Sequence, residues 1–231
     1  MLGGRAFIYP SGKPQPPVLP TFVQGNTAKS AASATTLSVT LPATVGNGNA
    51  ILVAVWYLTA TAGQITSVTD DKSNTYNVET SNVSAAAGGS MYMYGVGNVT
   101  NGPKTITVNI SANTIFMAVV EYNQVVALAN PVDAAIAAGA SVVPSGADAI
   151  TSNSASTTQT NETLVGFTCS TSGAAATITN GTGYTTEFND ATNKVQVEDR
   201  SQLTAASVQA TFSLSAGGGS YMTGMLSLRS H

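Results

Sequence analysis

Ala50-Ile51-Leu52-Val53-Ala54-Val55-Trp56-Tyr57 is eight consecutive apolar residues, rich in β-branched and aromatic side chains. A run of that length and composition is a buried strand rather than a helix. Ile115 to Tyr122 repeats the pattern, and both read as central strands of a sandwich. Around them lie strands of the other kind. Thr36-Leu37-Ser38-Val39-Thr40-Leu41 and Thr105-Ile106-Thr107-Val108-Asn109-Ile110 alternate with period two, the signature of one buried and one wet face. Gln64 to Val68, Tyr76 to Glu79 and Ser90 to Gly95 give shorter strands, and Asp70-Asp71-Lys72-Ser73-Asn74 is a turn between two of them. No stretch carries a sustained 3.6-residue apolar period. Ala134 to Ala138 has the propensity for one helical turn, limited by Gly139. The chain is expected to be all-β.

A faint internal repeat runs through it. Ile51-Leu52-Val53-Ala54-Val55 resembles Thr163-Leu164-Val165-Gly166-Phe167, and Ile115 to Val120 resembles Tyr221 to Leu226. The offset falls from 112 (Leu52 to Leu164) to 104 (Ser111 to Ser215), as differing loop lengths produce. Four corresponding strands per half predict about eight core strands in two sheets, a jelly-roll-like sandwich over residues 23–231 with pseudo-repeat halves 23–130 and 131–231.

Residues 1–22 differ. They hold five of the nine prolines, Pro10, Pro14, Pro16, Pro17 and Pro20. Proline has no amide donor and biases its predecessor to extended conformations, so the segment reads as a polyproline-like arm. Phe7, Ile8 and Tyr9, with Val18, Leu19 and Phe22, supply apolar anchors for a partner surface.

Charged residues make up 8% of the 231, against a norm of about 25%. Thr, Ser, Asn and Gln therefore carry the polar surface, and such a surface is buried against a partner without desolvating ions. The net charge of −3 and eight scattered Lys and Arg give no footprint for nucleic acid. No segment approaches the roughly 18 apolar residues of a membrane-spanning helix, and residues 1–5 lack the apolar core of a secretory signal. Cys169, alone of its kind, reads as a buried structural thiol.

Catalytic chemistry is poorly supplied. The single histidine, His231, is the final residue, so neither a Ser-His-Asp triad nor a histidine metal cluster is expected, and no cofactor is implied. Glu121 follows a core strand and is expected to point outward by alternation. Asp70, Asp71 and Asn74 could hold a cation, but their pattern fits a turn better. Tyr92 and Tyr94 share one strand face, opposite Met91 and Met93, and could pack across a subunit interface or stack on a sugar ring.

Taken with Val68-Thr69-Asp70-Asp71-Lys72-Ser73-Asn74-Thr75-Tyr76 and the strand end Tyr122-Asn123, this sequence resembles the β-sandwich proteins of phage virions, particularly capsid decoration (cement) proteins and head fibres. That resemblance implies a non-enzymatic protein of the virion, made in the host cytoplasm, which binds the major capsid protein or other virion subunits and forms a homo-oligomer, commonly a trimer. The competing expectation is a receptor- or glycan-binding fibre module.

Overall fold

A computed structural model describes residues 18–136, 149–173 and 176–231, with the side chains of 134–136 excepted. Among the described residues there is no helix, and every strand pairing is antiparallel. The first half contributes β1 (Thr21–Lys29), β2 (Ala34–Thr40), β3 (Ala50–Tyr57), β4 (Ile65–Asp70), β5 (Asn77–Ser84), β6 (Gly89–Val96), β7 (Thr105–Asn113) and β8 (Ile115–Asn123). The second contributes β9 (Val132–Ile136), β10 (Ala149–Thr151), β11 (Ala155–Ser156), β12 (Glu162–Ser170), β13 (Ile178–Asn180), β14 (Thr185–Asp190), β15 (Val195–Gln202), β16 (Ser207–Val208), β17 (Thr211–Leu214) and β18 (Tyr221–Arg229).

The sheets divide along the same line. In the first half a large sheet has the order β1-β8-β3-β6-β5 and a small one β2-β7-β4. In the second half the large sheet runs β9-β18-β12-β15-β14 and the small one β10-β17-β13, with β11-β16 as a separate two-stranded ladder. Matching β1 to β9, β3 to β12, β6 to β15 and β8 to β18 superposes one order on the other. The faint sequence repeat is thus a repeat of topology. Irregularities repeat too. β5 carries one extra residue, Glu79, opposite Tyr94 and Met93, and β14 carries Glu187 opposite Glu198 and Val197.

An all-β sandwich was expected, and the structure has that architecture in each half. About eight core strands were expected from the two halves together, whereas the first half alone supplies eight. The reason lies in the continuous apolar runs. A strand in a two-layer sandwich has one wet face and should alternate, yet β3, β8 and β12 are buried at nearly every position. Both faces of each large sheet are covered. Val53, Val55, Met117 and Val119 pack towards their own small sheet with Val39, Ile106 and Val108. Leu52, Trp56, Met91, Met93, Ala118 and Val120 instead meet Val165, Phe167, Val197, Met222 and Leu226 of the second half. The layers therefore stack as small sheet, large sheet, large sheet, small sheet. Contacts across the seam are reciprocal, β1 lying against β14 and β5 against β9, as a pseudo-two-fold relation requires.

Trp56 marks the seam, its Nε1 donating to the Met222 carbonyl at 3.2 Å. It is the only tryptophan, so its fluorescence reports this interface. Phe167→Ala, which empties a fully buried seam position, is expected to cost about 3–5 kcal/mol in urea unfolding followed by Trp56 emission. A loss below about 1 kcal/mol would contradict burial on both faces.

Candidate functional site

The N-terminal segment joins the body at the seam. Pro20 is buried, and its carbonyl accepts from the Thr163 hydroxyl of the second half at 2.8 Å. Thr21 Oγ1 lies 3.2 Å from the Leu19 carbonyl and from Gln124 Oε1. Phe22 is half-buried and packs edge-on against Tyr122, with ring centroids 5.9 Å apart at 74°. Val18 and Leu19 are likewise half-buried. Of the six proposed anchors, then, Phe22 is spent on the protein's own core and Leu19 lines the root of the segment, while Phe7, Ile8 and Tyr9 lie outside the described residues.

The root borders a cavity of about 330 Å³ formed by Leu19, Pro20, Thr21, Phe22, Thr163, Glu187, Asp199 and Ser201. Tyr122 donates its hydroxyl to Asp199 Oδ2 at 3.0 Å. Glu187, on its bulge in β14, lies beside the same Asp199 carboxylate. Burial raises both carboxyl pKa values above the usual carboxylate range, and each acid's proximity to the other sustains this for Glu187.

A second pair of acids, Glu162 and Asp133, lies on the face of the second large sheet turned away from the seam. Glu162 is fully buried and its Oε2 accepts from Ser227 Oγ at 2.7 Å. Burial pushes its pKa up to about 7, and the nearby Asp133 carboxyl adds to the rise. Asp133 also accepts from the Thr158 amide and hydroxyl, both at 2.6 Å, and pairs with Arg229 at 3.4 Å. Glu198 is raised to about 7 by burial as well, although its carboxylate accepts from the Gly181 and Thr211 amides at 2.9 and 3.2 Å.

Glu121 differs from expectation. It does not point to solvent but is 1% exposed, accepting from the Gly46 amide at 2.8 Å and from the Asn49 and Gln24 side-chain amides. With β8 covered on both faces, alternation no longer assigns an outward side, and the carboxylate ties the loop before β3 to the sheet. Asp70 and Asp71 are turn-builders. Asp70 accepts from the Lys72 and Asn74 amides, the Asn74 side chain and the Tyr76 hydroxyl, and Asp71 Oδ1 takes the Lys104 and Thr105 amides. Among the described residues no three His, Cys, Asp or Glu side chains cluster as metal ligands. Cys169 is a free, buried thiol on β12.

Tyr92 and Tyr94 both face the small sheet of the first half. Tyr94 is 6% exposed within that core. Tyr92 stacks on Tyr57, centroids 6.0 Å apart at 22°, and its hydroxyl accepts from the Gly63 amide at 3.1 Å. Met91 and Met93, on the opposite side, enter the seam. Neither face of β6 is a free platform for a sugar ring. Sequence reasoning missed the buried acids of the second large sheet; the only advance signal was Glu162 directly ahead of the apolar run Leu164–Phe167, an ionisable group beside a buried strand.

Comparison with protein-family models, with curated proteins and with solved structures finds no match to this chain.

Stability should respond to pH through these acids. Glu162 and Glu198 have ordinary values of 4.5 and are raised to about 7 in the fold. Their protons are held more tightly by the native state. That stabilisation is complete below pH 4.5 and is lost as pH rises through about 7. Asp71, lowered chiefly by the Lys104 amide, acts in the opposite sense and loses its contribution below its ordinary 3.8. Tm is expected to be greatest near pH 5 and to fall by roughly 5–10 °C by pH 8, with a smaller fall in Glu162→Gln, which does not titrate. A Tm that climbs between pH 5 and pH 8 would refute the assignment.

Proposed function

We propose that this protein is a non-enzymatic structural component of a virus particle, of the capsid decoration type, which attaches through its proline-rich N-terminal segment and displays the double sandwich. The observation that carries this reading is the root of that segment. The Pro20 carbonyl is bonded to Thr163 across the seam, which fixes the point at which residues 1–17 meet the body. A body with 8% charged residues suits that task, because hydroxyl and amide surfaces bury against neighbours without ion desolvation. The buried acids serve the fold: Glu121, Glu162, Glu198 and Asp199 each receive amide or hydroxyl donors of the protein itself. The glycan-binding reading gains little from Tyr94, which is only 6% exposed.

Removing residues 1–17 tests the reading, since β1 begins at Thr21 and the body keeps every strand. In particles assembled with the shortened chain, copy number per particle should fall roughly tenfold or more, the effect of at least about 1.4 kcal/mol of lost binding. Its Tm should stay within about 2 °C of the full chain. Undiminished incorporation would overturn the proposal.

A further inference from the structure

Asparagine is followed by glycine at three places, Asn47-Gly48, Asn101-Gly102 and Asn180-Gly181. The dipeptide is chemically labile, because glycine has no Cβ to hold its amide nitrogen away from the preceding asparagine side chain. The fold treats the three places differently. At Asn180 the Gly181 amide donates to the buried Glu198 carboxylate at 2.9 Å, and the asparagine side chain donates to the Tyr184 carbonyl and accepts from Thr186. At Asn47 the Gly48 amide donates to the Val99 carbonyl at 2.9 Å. The Gly102 amide is different. Among the described residues no group accepts from it, and none bonds the Asn101 side chain.

The connection between β6 and β7 explains this exception. Val99 is fully buried and its amide donates to the Asn49 carbonyl at 3.0 Å. Pro103 is also buried, and its carbonyl accepts from the Val45 amide at 2.9 Å. Between these two fixed points Thr100 and Asn101 are exposed and Gly102 is half-buried. Asn101 and Gly102 both take the left-handed backbone region, with φ of 63° and 53°.

We propose that Asn101 is a site of spontaneous conversion to aspartate and isoaspartate, and that it reacts ahead of Asn47 and Asn180. The Gly102 nitrogen, its proton taken by hydroxide, attacks Cγ of Asn101. A bond forms between them, the bond from Cγ to Nδ2 breaks, and ammonia leaves with a proton supplied by water. The product is a five-membered succinimide across residues 101 and 102. Water then adds to one of the two ring carbonyls. Opening the ring on one side gives aspartate; opening it on the other routes the main chain through the former side chain, giving isoaspartate. Hydroxide and water are the only co-reactants. An amide that donates to Glu198 or to Val99 must first give up that bond, whereas the Gly102 amide gives up none. Either product makes the chain one charge more negative than its present −3. Isoaspartate also lengthens the backbone of a connection that packs closely on the loop before β3, since a Cβ at Gly102 would lie 3.0 Å from the Val45 carbonyl oxygen. The proposal is independent of what the protein attaches to.

The test is peptide mapping by mass spectrometry on the full chain held at mildly alkaline pH, with enzymatic methylation of isoaspartate to separate the two products. In the folded chain Asn101 should convert roughly tenfold or more faster than Asn47 and Asn180. In concentrated urea the three dipeptides lose their partners, and their rates should converge to within about threefold. The acidic species that ion-exchange chromatography resolves from the aged protein should be missing from Asn101→Gln, whose longer side chain cannot close a five-membered ring. Equal rates at the three sites in the folded chain would overturn the proposal, as would an Asn101 that stays intact while the unfolded chain converts. A lead for Asn101 that persists unchanged in urea would also overturn it, because the lead would then come from neighbouring residues and not from the fold.

Discussion

Two antiparallel five-stranded sheets, each apolar on both faces, cannot be satisfied by a single covering layer, and this sets the rest of the structure. The inner faces carry Leu52, Trp56, Met93 and Val120 on one side and Phe167, Val197, Met222 and Leu226 on the other. Left open to water, either would be a contiguous apolar surface of the kind that associates. Each small sheet closes one face of its own large sheet, and the only cover for the other is the second large sheet. Close approach at the seam is also selective. A Cβ at Gly224 would come within 2.7 Å of Met93 Cε and 3.0 Å of Met91 Cε; glycine lets the methionines lie flat over β18. The flexible thioethers in turn fill the irregular space between two twisted sheets.

Stacking four layers multiplies the loops and strand ends that are shut away from water, and their amide groups still need acceptors. The sparse acids meet that need. Glu198 takes the amides of Gly181 and Thr211, which tie β14's approach to the small sheet. Glu121 takes Gly46 in the loop before β3. Asp71 joins the β4 turn to the start of β7. Burial raises the pKa of Glu198, whereas the Lys104 amide lowers that of Asp71, and both shifts follow from structural work. A perturbed carboxyl in a chain without usable histidine is here a fastening, and its neighbours are amides and hydroxyls.

Much of this was legible in the sequence, and the failures have one cause. Alternation placed β2 and β7, the Asp70–Asn74 cluster marked its turn, and the resemblance of residues 51–55 to 163–167 found the duplicated strand but one residue out of register, since Leu52 and Val165 face the seam whereas Leu164 faces the small sheet. The run Ala50–Tyr57 was seen as a strand but assigned to the middle of one sandwich. Its lack of alternation is itself the evidence for a sheet covered twice, because only such a strand needs no polar side. The same oversight sent Glu121 outward and left one face of Tyr92 and Tyr94 available. Phe22 was taken as a partner anchor because nothing local reveals that Tyr122, a hundred residues away, meets its ring. Contacts across the seam are a product of topology, and single-strand patterns do not encode them.

Duplication also explains where the two halves are free to differ. Residues at the seam are constrained in pairs, since a change in one large sheet is felt by the other. The outer edges are constrained only by their own half. There the second half has Asn180 and Thr186, which bond across β13 and β14, whereas the first has Val68 and Val78 at the matching places, and neither can make such a bond. An edge sealed by polar side chains gains order in the isolated molecule. The seam consumes the faces through which sandwiches commonly associate. Contact with other proteins is therefore left to the small sheets, the strand edges and the segment rooted at Pro20.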